Sequence, residues 1–232
     1  MTEVAFPKGF FWGAATAAHQ VEGNNINSES WVLEHLPGTI YAEPSGDACD
    51  HYHRYPEDIA LLAGLGFNAY RFSVEWARIE PEEGEFSFAE LEHYRRMLAV
   101  CHEHGIRPVV TFNHFTSPRW LMRYGGWVDE RTPERFARYC ERVTNHLGEM
   151  IGAACTLNEV NLPAVLSRLL PFKINELPWW KTAAQTFEVT PERLGVFQFA
   201  DSPGAREVIM AAHRRGYEAI KAGPGDFMVG LT

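Results

Sequence analysis

Short apolar segments alternate with helix-like segments along the chain, and this alternation constrains the fold more than any other feature. The helix-like segments cover residues 54–65, 87–104, 132–147 and 204–222. The apolar segments lie at residues 10–14, 67–73, 106–112, 151–157 and 227–231. Short strands that are apolar on both faces and separated by amphipathic helices are typical of a parallel sheet covered by helices. The order β-α-β-α-β-α-β-α-β therefore predicts the α/β class.

Local signals predict where these helices begin and end. Gly66 and Gly105 follow the first two helical segments, where a left-handed residue ends a helix. Pro56 suits the first turn of the first helix. Thr132 followed by Pro133 is typical of an N-cap and the first helical position.

The number of βα units favours one barrel-like domain. The 232 residues hold four complete units and the start of a fifth, with no linker, low-complexity tract or change of composition. We therefore expect residues 1–232 to belong to a single domain. The sequence has neither a GxGxxG turn nor a GxxxxGK[ST] loop, so nucleotide binding lacks its usual support. This pattern favours a (β/α)8 barrel of the TIM type, here an incomplete barrel of about strands 1–5.

Charge and composition narrow the classes of partner. Lys and Arg number 21 against 30 Asp and Glu, giving a formal charge of −9 that disfavours nucleic acid and anionic membranes as partners. There is no apolar stretch of membrane-spanning length, and residues 1–4 lack a basic leader pattern. We expect a cytoplasmic protein without a membrane partner. The four cysteines form no close pair, and we expect them to be buried thiols.

Polar residues follow the predicted strands. Gln20 comes after the first strand, the second contains Arg71, His114 follows the third, and Asn158 and Glu159 follow the fourth. Parallel α/β folds place their chemistry at the carboxyl ends of strands. A carboxyl group surrounded by hydrogen-bonding neighbours suits a hydroxyl-rich ligand such as a sugar. The sequence therefore predicts a saccharide site at these strand ends.

Each of these residues also has a structural interpretation. Gln20 could cap a loop, His114 could be a satisfied core histidine, and Arg71 could be an ion-pair partner. The pair Asn158-Glu159 is the strongest single signal, because a carboxyl group at the mouth of a barrel could donate a proton.

A metal or other cofactor has little support. Two His-x-His pairs occur, His51 with His53 and His102 with His104, but there is no HExxH motif. We expect neither a metal nor a cofactor. The seven tryptophans could stack on sugar faces, although a core position is favoured for any one of Trp12, Trp76, Trp120, Trp127, Trp179 and Trp180.

Four motifs resemble one known family. They are FPKGFFWGAATAAHQVEG at residues 6–23, YRFSVEWARI at 70–79, TFNHF at 111–115 and TLNE at 156–159. Their order and spacing are similar to those of the family 1 glycoside hydrolases, the β-glucosidase and β-galactosidase group. VGLT at 229–232 resembles the start of that family's fifth strand, so the resemblance covers the whole chain as the N-terminal half of a barrel.

The resemblance implies a retaining β-glycosidase acting on a β-linked saccharide or an aryl or alkyl β-glycoside. It assigns Glu159 as the general acid/base. It implies that Asn158 binds the sugar 2-hydroxyl and that Gln20 and His114 bind the 3- and 4-hydroxyls. Arg71 would lie beneath the catalytic carboxylates and hold the nucleophile ionised.

Two departures from the family stand out. Val160 follows Glu159 where the family usually has Pro. The resemblance therefore does not predict the structure of the loop over residues 161–202. The family's nucleophile lies on the seventh strand, whereas this sequence stops within the fifth. Glu75 is the nearest substitute, although its motif favours a structural role. We therefore expect the 232-residue polypeptide alone to be inactive or very weak.

Two hypotheses of different classes follow. The first is the N-terminal half of a β-glycosidase, active when a missing C-terminal half completes it. The second is a non-catalytic half-barrel that binds saccharide and covers its open sheet edges with a second copy. A metal-dependent barrel hydrolase is a third, weaker alternative. Sugar specificity stays open among glucosidase, galactosidase, fucosidase and phospho-glycosidase.

Overall fold

A computed structural model describes residues 6–170 and 172–232. The N-terminal stretch that lacks a leader pattern lies outside these described residues. Five strands form one sheet in the order of the chain: β1 Gly13–Ala15, β2 Ala69–Ser73, β3 Arg107–Asn113, β4 Ala153–Leu157 and β5 Met228–Gly230. All four neighbouring pairs are parallel. The predicted α/β class and strand order are confirmed.

The α-helices of the described residues include six that the sequence analysis did not identify. The helices are α1 Ala18–Val21, α2 Glu29–Glu34, α3 His51–Gly64, α4 Trp76–Ile79, α5 Phe88–Glu103, α6 Arg119–Met122, α7 Thr132–Leu147, α8 Leu162–Leu169, α9 Pro178–Thr186 and α10 Pro203–Ala222. Short 3-10 turns cover Gly148–Met150, Ile174–Glu176, Pro191–Arg193 and Phe197–Phe199. The short helices α1, α2, α4 and α6 were missed because each is too brief to show a helical period. The region over 161–202 forms α8, α9 and three of these turns.

Helix ends agree with the sequence in part. Gly66 and Gly105 both have positive φ, at 87° and 68°, so their predicted role in ending helices is confirmed. The first predicted helix begins earlier than expected, at His51, and Pro56 lies inside it. The prediction that Thr132 is the N-cap of α7 is wrong, because its hydroxyl donates to the Gly126 carbonyl at 2.6 Å instead of capping the helix.

The long helices pack on one face of the sheet. Tyr70, Phe112 and Thr156 share that face by strand register, and each lies beside a helix residue: His51 of α3, Tyr139 of α7 and His213 of α10. Trp76 stacks on Tyr139 with ring centroids 5.1 Å apart, inside the cluster of buried aromatic residues. Consecutive strand order with the helices on a single face is the arrangement of a barrel, because a doubly wound sheet reverses its strand order and is covered on both faces.

The burial of the cysteines and tryptophans agrees with the sequence-based expectation except at Cys49 and Trp12. Cys101, Cys140 and Cys155 are buried, whereas Cys49 is exposed on the loop before α3. The core interpretation holds for the tryptophans Trp76, Trp120, Trp127, Trp179 and Trp180, all buried. Trp12 is the exception at 47% exposure, and it precedes β1 rather than following a strand.

The contact between α7 and α10 depends on the absence of a side chain at Gly216. A methyl group added there would lie 2.7 Å from Cε1 of the buried Phe136, which the surrounding aromatic rings hold in place. Gly204 lies on the same helix and has no heavy atom within 4 Å of such a group.

We expect Gly216→Ala to lower the free energy of unfolding by about 1–3 kcal/mol, since overpacking a dense core costs that much. Gly204→Ala is the matched control, and we expect it to be neutral or stabilising by up to about 1 kcal/mol, because alanine has the higher helix propensity. Urea denaturation of the two variants measures the difference. Equal effects would show that the α7–α10 contact tolerates the extra methyl group.

Candidate active site

The carboxyl ends of β2, β3 and β4 bring three predicted site residues into direct contact. Arg71 lies within β2, His114 directly follows β3 and Asn158 directly follows β4. Asn158 is 2% exposed and joins the other two: its Oδ1 accepts from Arg71 Nη2 at 2.5 Å, and its Nδ2 donates to His114 Nε2 at 3.2 Å. One buried amide therefore orients both a cation and an imidazole.

Arg71 is held over the inner face of the sheet. Its Nε donates to the Thr111 hydroxyl at 2.8 Å and its Nη2 also donates to Thr232 Oγ1 at 3.0 Å. Among the described residues, Arg71 forms no ion pair. A half-buried guanidinium without a carboxylate partner attracts negative charge to this position. Hence the structural ion-pair interpretation of Arg71 finds no partner in the described part of the chain.

The contact with Asn158 determines the tautomer of His114. The Asn158 amide oxygen faces Arg71, so its NH2 group must donate to His114 Nε2, which leaves the ring proton on Nδ1. That Nδ1 is buried and has no hydrogen-bond partner among the described residues. Burial, and then the positive charge of Arg71, lower the pKa of His114 to about 4. His114 is thus neutral at physiological pH, and its buried N–H group has no partner among the described residues.

Glu159 adopts a strained backbone conformation beside this network. Its φ is 48°, in the left-handed region that a residue with a side chain seldom occupies, and its side chain is exposed. Its N–H donates to the Thr232 carbonyl at 2.7 Å, and its carbonyl accepts from Leu162 N–H at 2.9 Å. The backbone is fixed on both sides while the carboxyl group stays accessible. Val160, in place of the family's usual Pro, is half-buried against the core, and α8 begins two residues later.

Gln20 lies on α1, after β1, and its side chain is exposed. The neighbouring His19 anchors this segment, because its Nε2 lies 2.6 Å from Glu34 Oε1 and its Nδ1 lies 3.2 Å from the Asn25 amide. Glu34 in turn accepts from the backbone N–H and hydroxyl of Ser45. Sequence reasoning missed His19 and Glu34; the signal that could have found His19 is its place next to Gln20 in the first motif.

Glu75 has a structural position. It is 2% exposed, its Oε1 accepts from Ala77 N–H at the start of α4, and its Oε2 accepts from Thr116 Oγ1 at 2.8 Å. Both carboxylate oxygens are therefore occupied within the fold. This agrees with the structural interpretation of its motif.

Other candidate features lie away from these residues. A cavity of about 450 Å³ lies between α8, α9 and the start of α10, and none of the five predicted site residues lines it. In the described residues no group of three or more metal-ligating side chains occurs. His51 instead contacts Asp58 and Tyr70, His53 contacts Asp50, and His102 contacts the Met150 carbonyl. None of the helices in residues 6–170 and 172–232 is both long and apolar enough to cross a membrane.

A parallel barrel-type sheet with an amide, an imidazole, a guanidinium and a carboxyl group at its strand ends defines a class of protein, the α/β barrels with a polar site at the carboxyl ends of their strands. Comparison with known proteins gives the family. Residues 2–172 match the model of glycosyl hydrolase family 1. The chain belongs to this family.

Relatives and solved structures agree with this assignment. The chain is 44% identical over 170 residues to thermostable beta-glucosidase B of Thermobispora bispora, covering 71% of this chain and 36% of that protein. It is 38% identical over 197 residues to beta-glucosidase A of Acetivibrio thermocellus, covering 82% and 43%. The crystal structure of beta-glycosidase BGL167 superposes with a TM-score of 0.94 at 61% identity, covering 97% of this chain and 55% of that one.

The chain spans 36% and 43% of these two beta-glucosidases and about half of the solved beta-glycosidase. The five-stranded parallel sheet is accordingly an incomplete TIM barrel. The predicted fold class and family resemblance are confirmed.

We expect the His114 ring to stay neutral down to about pH 4 in the folded protein, as read from its ring nitrogen resonances in an NMR pH titration. The urea-unfolded chain should titrate near about 6.5. Because the unfolded state takes up the proton first, this residue lowers the free energy of unfolding as the pH falls from about 6.5 to about 4.

Arg71→Met should raise the folded-state midpoint of His114, since the substitution removes one of the two causes of the shift. Arg95→Met, on the surface of α5, is the control and should leave it unchanged. A folded wild-type midpoint near 6.5 would contradict the buried, unpaired position of the ring.

Proposed function

We propose that this chain is the part of a retaining β-glycosidase, β-glucosidase-like, that carries the general acid/base. The observation that supports this most strongly is the network in which buried Asn158 orients both Arg71 and His114 beside the accessible Glu159. Family membership gives hydrolysis of glycosidic bonds as the class of reaction. The beta-glucosidase relatives suggest a β-linked saccharide or an aryl or alkyl β-glycoside as substrate.

The proposed chemistry assigns each residue one task. Glu159 protonates the glycosidic oxygen as the bond to the leaving group breaks, and later removes a proton from the attacking water. Asn158 binds the sugar 2-hydroxyl, where contacts strengthen in the transition state. Gln20 and His114 bind the 3- and 4-hydroxyls; the side chain of Gln20 is exposed and His114 is half-buried. Arg71 holds the nucleophilic carboxylate in its ionised form.

The nucleophile itself is proposed to come from outside these 232 residues. A retaining mechanism needs a second carboxyl group about 5–5.5 Å from the first. Glu75 is a poor substitute because Ala77 and Thr116 occupy both of its oxygens. We therefore propose that residues 1–232 form one continuous part of a barrel domain, without an internal boundary, and that a C-terminal half completes it.

A second candidate function is a non-catalytic half-barrel that binds saccharide and self-associates. The exposure of the edge strand β5, where Met228 is 66% exposed, favours this alternative. Light scattering distinguishes the two, because a discrete dimer with sugar affinity but no turnover supports self-association. A cytoplasmic location stays a prediction from the sequence, which cell fractionation would test.

We expect the 232-residue polypeptide alone not to hydrolyse an aryl β-glucoside at an enzyme-like rate, because Glu75, the nearest candidate nucleophile in the described residues, has both carboxyl oxygens occupied within the fold. Fusing it to the part of beta-glycosidase BGL167 that it does not cover should restore turnover. The release of the coloured aryl alcohol measures both. Turnover by the 232-residue polypeptide that Glu159→Gln abolishes would disprove the dependence on a second half.

In the completed enzyme we expect Glu159→Gln to lower kcat for poor leaving groups by about 10²–10⁴-fold, the usual contribution of a general acid. Aryl glucosides with acidic leaving groups need little protonation, so the rate of the first step should fall less for them. Glu188→Gln is the matched control, since Glu188 is also an exposed glutamate with positive φ, 60° against 48°. Equal losses for all leaving groups would argue against the acid role.

A further inference from the structure

The loop that carries Gln20 and the loop that carries His114 are joined directly to each other. Ser28 and Pro118 form a short antiparallel bridge, and Arg119 N–H donates to the Asn27 carbonyl at 2.8 Å. These contacts lie within a few residues of His114 along the chain. The relative position of the two loops is therefore decided by local links rather than by the sheet alone.

Glu29 completes this junction with its side chain. Its backbone N–H donates to the Ser117 carbonyl at 3.0 Å, and its carboxyl Oε2 accepts from the Ser117 N–H at 2.7 Å. Both residues have no exposed surface. The second carboxyl oxygen, Oε1, is buried and has no hydrogen-bond partner among the described residues. A buried carboxyl group with one unpaired oxygen is costly, so the position of Glu29 calls for an explanation.

Thr116, the residue before Ser117, is bound by a second buried carboxyl group, that of Glu75. Thr116 donates its hydroxyl to Glu75 Oε2 at 2.8 Å, and its carbonyl accepts from Asn113 Nδ2 at 2.7 Å. Thr116 N–H donates to the carbonyl of His114 itself at 2.9 Å. The buried carboxyl groups of Glu29 and Glu75 thus accept hydrogen bonds from two neighbouring residues, Ser117 and Thr116, in the segment that follows His114.

We propose that Glu29 is a positioning residue, whose two-way link with Ser117 keeps the His114 imidazole in place relative to the loop that carries Gln20. The inference rests on the proposed function in one respect, namely that these two side chains bind the same sugar. The link itself exists without sugar and can be tested without it.

The link should respond to pH. Burial, and in addition the charge of Glu75, raise the pKa of Glu29 to about 8, against the opposing hydrogen bond from Ser117. The titratable groups that face Glu29 are Glu75, ahead of α4, and Tyr41, after α2, whose pKa is itself raised by burial and by the charge of Glu29. Glu29 is consequently neutral at pH 7, and above about pH 8 its ionisation places a negative charge behind the His114 loop.

The experiment follows the Ser117 amide and the His114 ring by NMR between pH 3 and 10 in the 232-residue polypeptide. We expect both signals to shift with a common midpoint near pH 8 in the wild type. In Glu29→Gln this step should disappear from both, while the separate step of His114 near pH 4 remains. Glu57→Gln, an exposed glutamate of α3, is the control and should keep both steps.

The outcomes separate the possible roles. A Ser117 amide that titrates near pH 8 while the His114 ring does not would show that Glu29 only stabilises the fold, and the proposal would be wrong. No titration of the Ser117 amide anywhere between pH 3 and 10 would disprove the link itself. The wild-type titration alone decides between these results if Glu29→Gln fails to fold. Failure of the completed enzyme to hydrolyse a β-glucoside would count against the proposed function and would leave the Glu29–Ser117 link unaffected.

Discussion

Parallel pairing of β2, β3 and β4 is the constraint on which the site depends. The register aligns Arg71 with Val109 and Thr111 with Cys155, so residues of one parity lie on the inner face. Because the strands all run in the same direction, their carboxyl ends meet at one rim. Asn158, Arg71 and His114 come from segments far apart in the sequence and still form one hydrogen-bonded group. Without this register, no pair among them would touch.

Positive and negative side chains lie in different places around the site. Arg71 lies on the inner face without a carboxylate among the described residues, whereas the buried glutamates lie behind the loops. Glu22 is among them: Arg78 and Tyr94 bind it, and burial still raises its pKa to about 7. Glu29 and Glu75 hold the segment that follows His114. The inner face thus carries a cation that no carboxylate pairs with in the described residues, while the buried acids contact the loops behind it.

Sequence reasoning predicted the class of fold and the order of the strands because each long element repeats a periodic pattern. It predicted the five site residues from their place after strands and from motif resemblance, and the structure brings Arg71, His114 and Asn158 together. It did not predict the anchors Glu29, Glu34 and His19, because their partners are separated from them by up to 88 residues and by burial that no local pattern shows. It also missed the short helices and the exposure of Cys49.

The sequence by itself determined the alternation of strands and helices, the residues available at the strand ends, and the family to which they point. Periodicity and motif spacing are properties of the linear sequence, so they can be recognised without knowing the fold. Only the tertiary structure decided that His114 is neutral, that Arg71 is unpaired in the described residues, and that Glu75 is occupied within the fold. Each of these depends on burial and on hydrogen-bond partners that arrive from distant segments, because desolvation and pairing, rather than residue type, determine what a polar group can do.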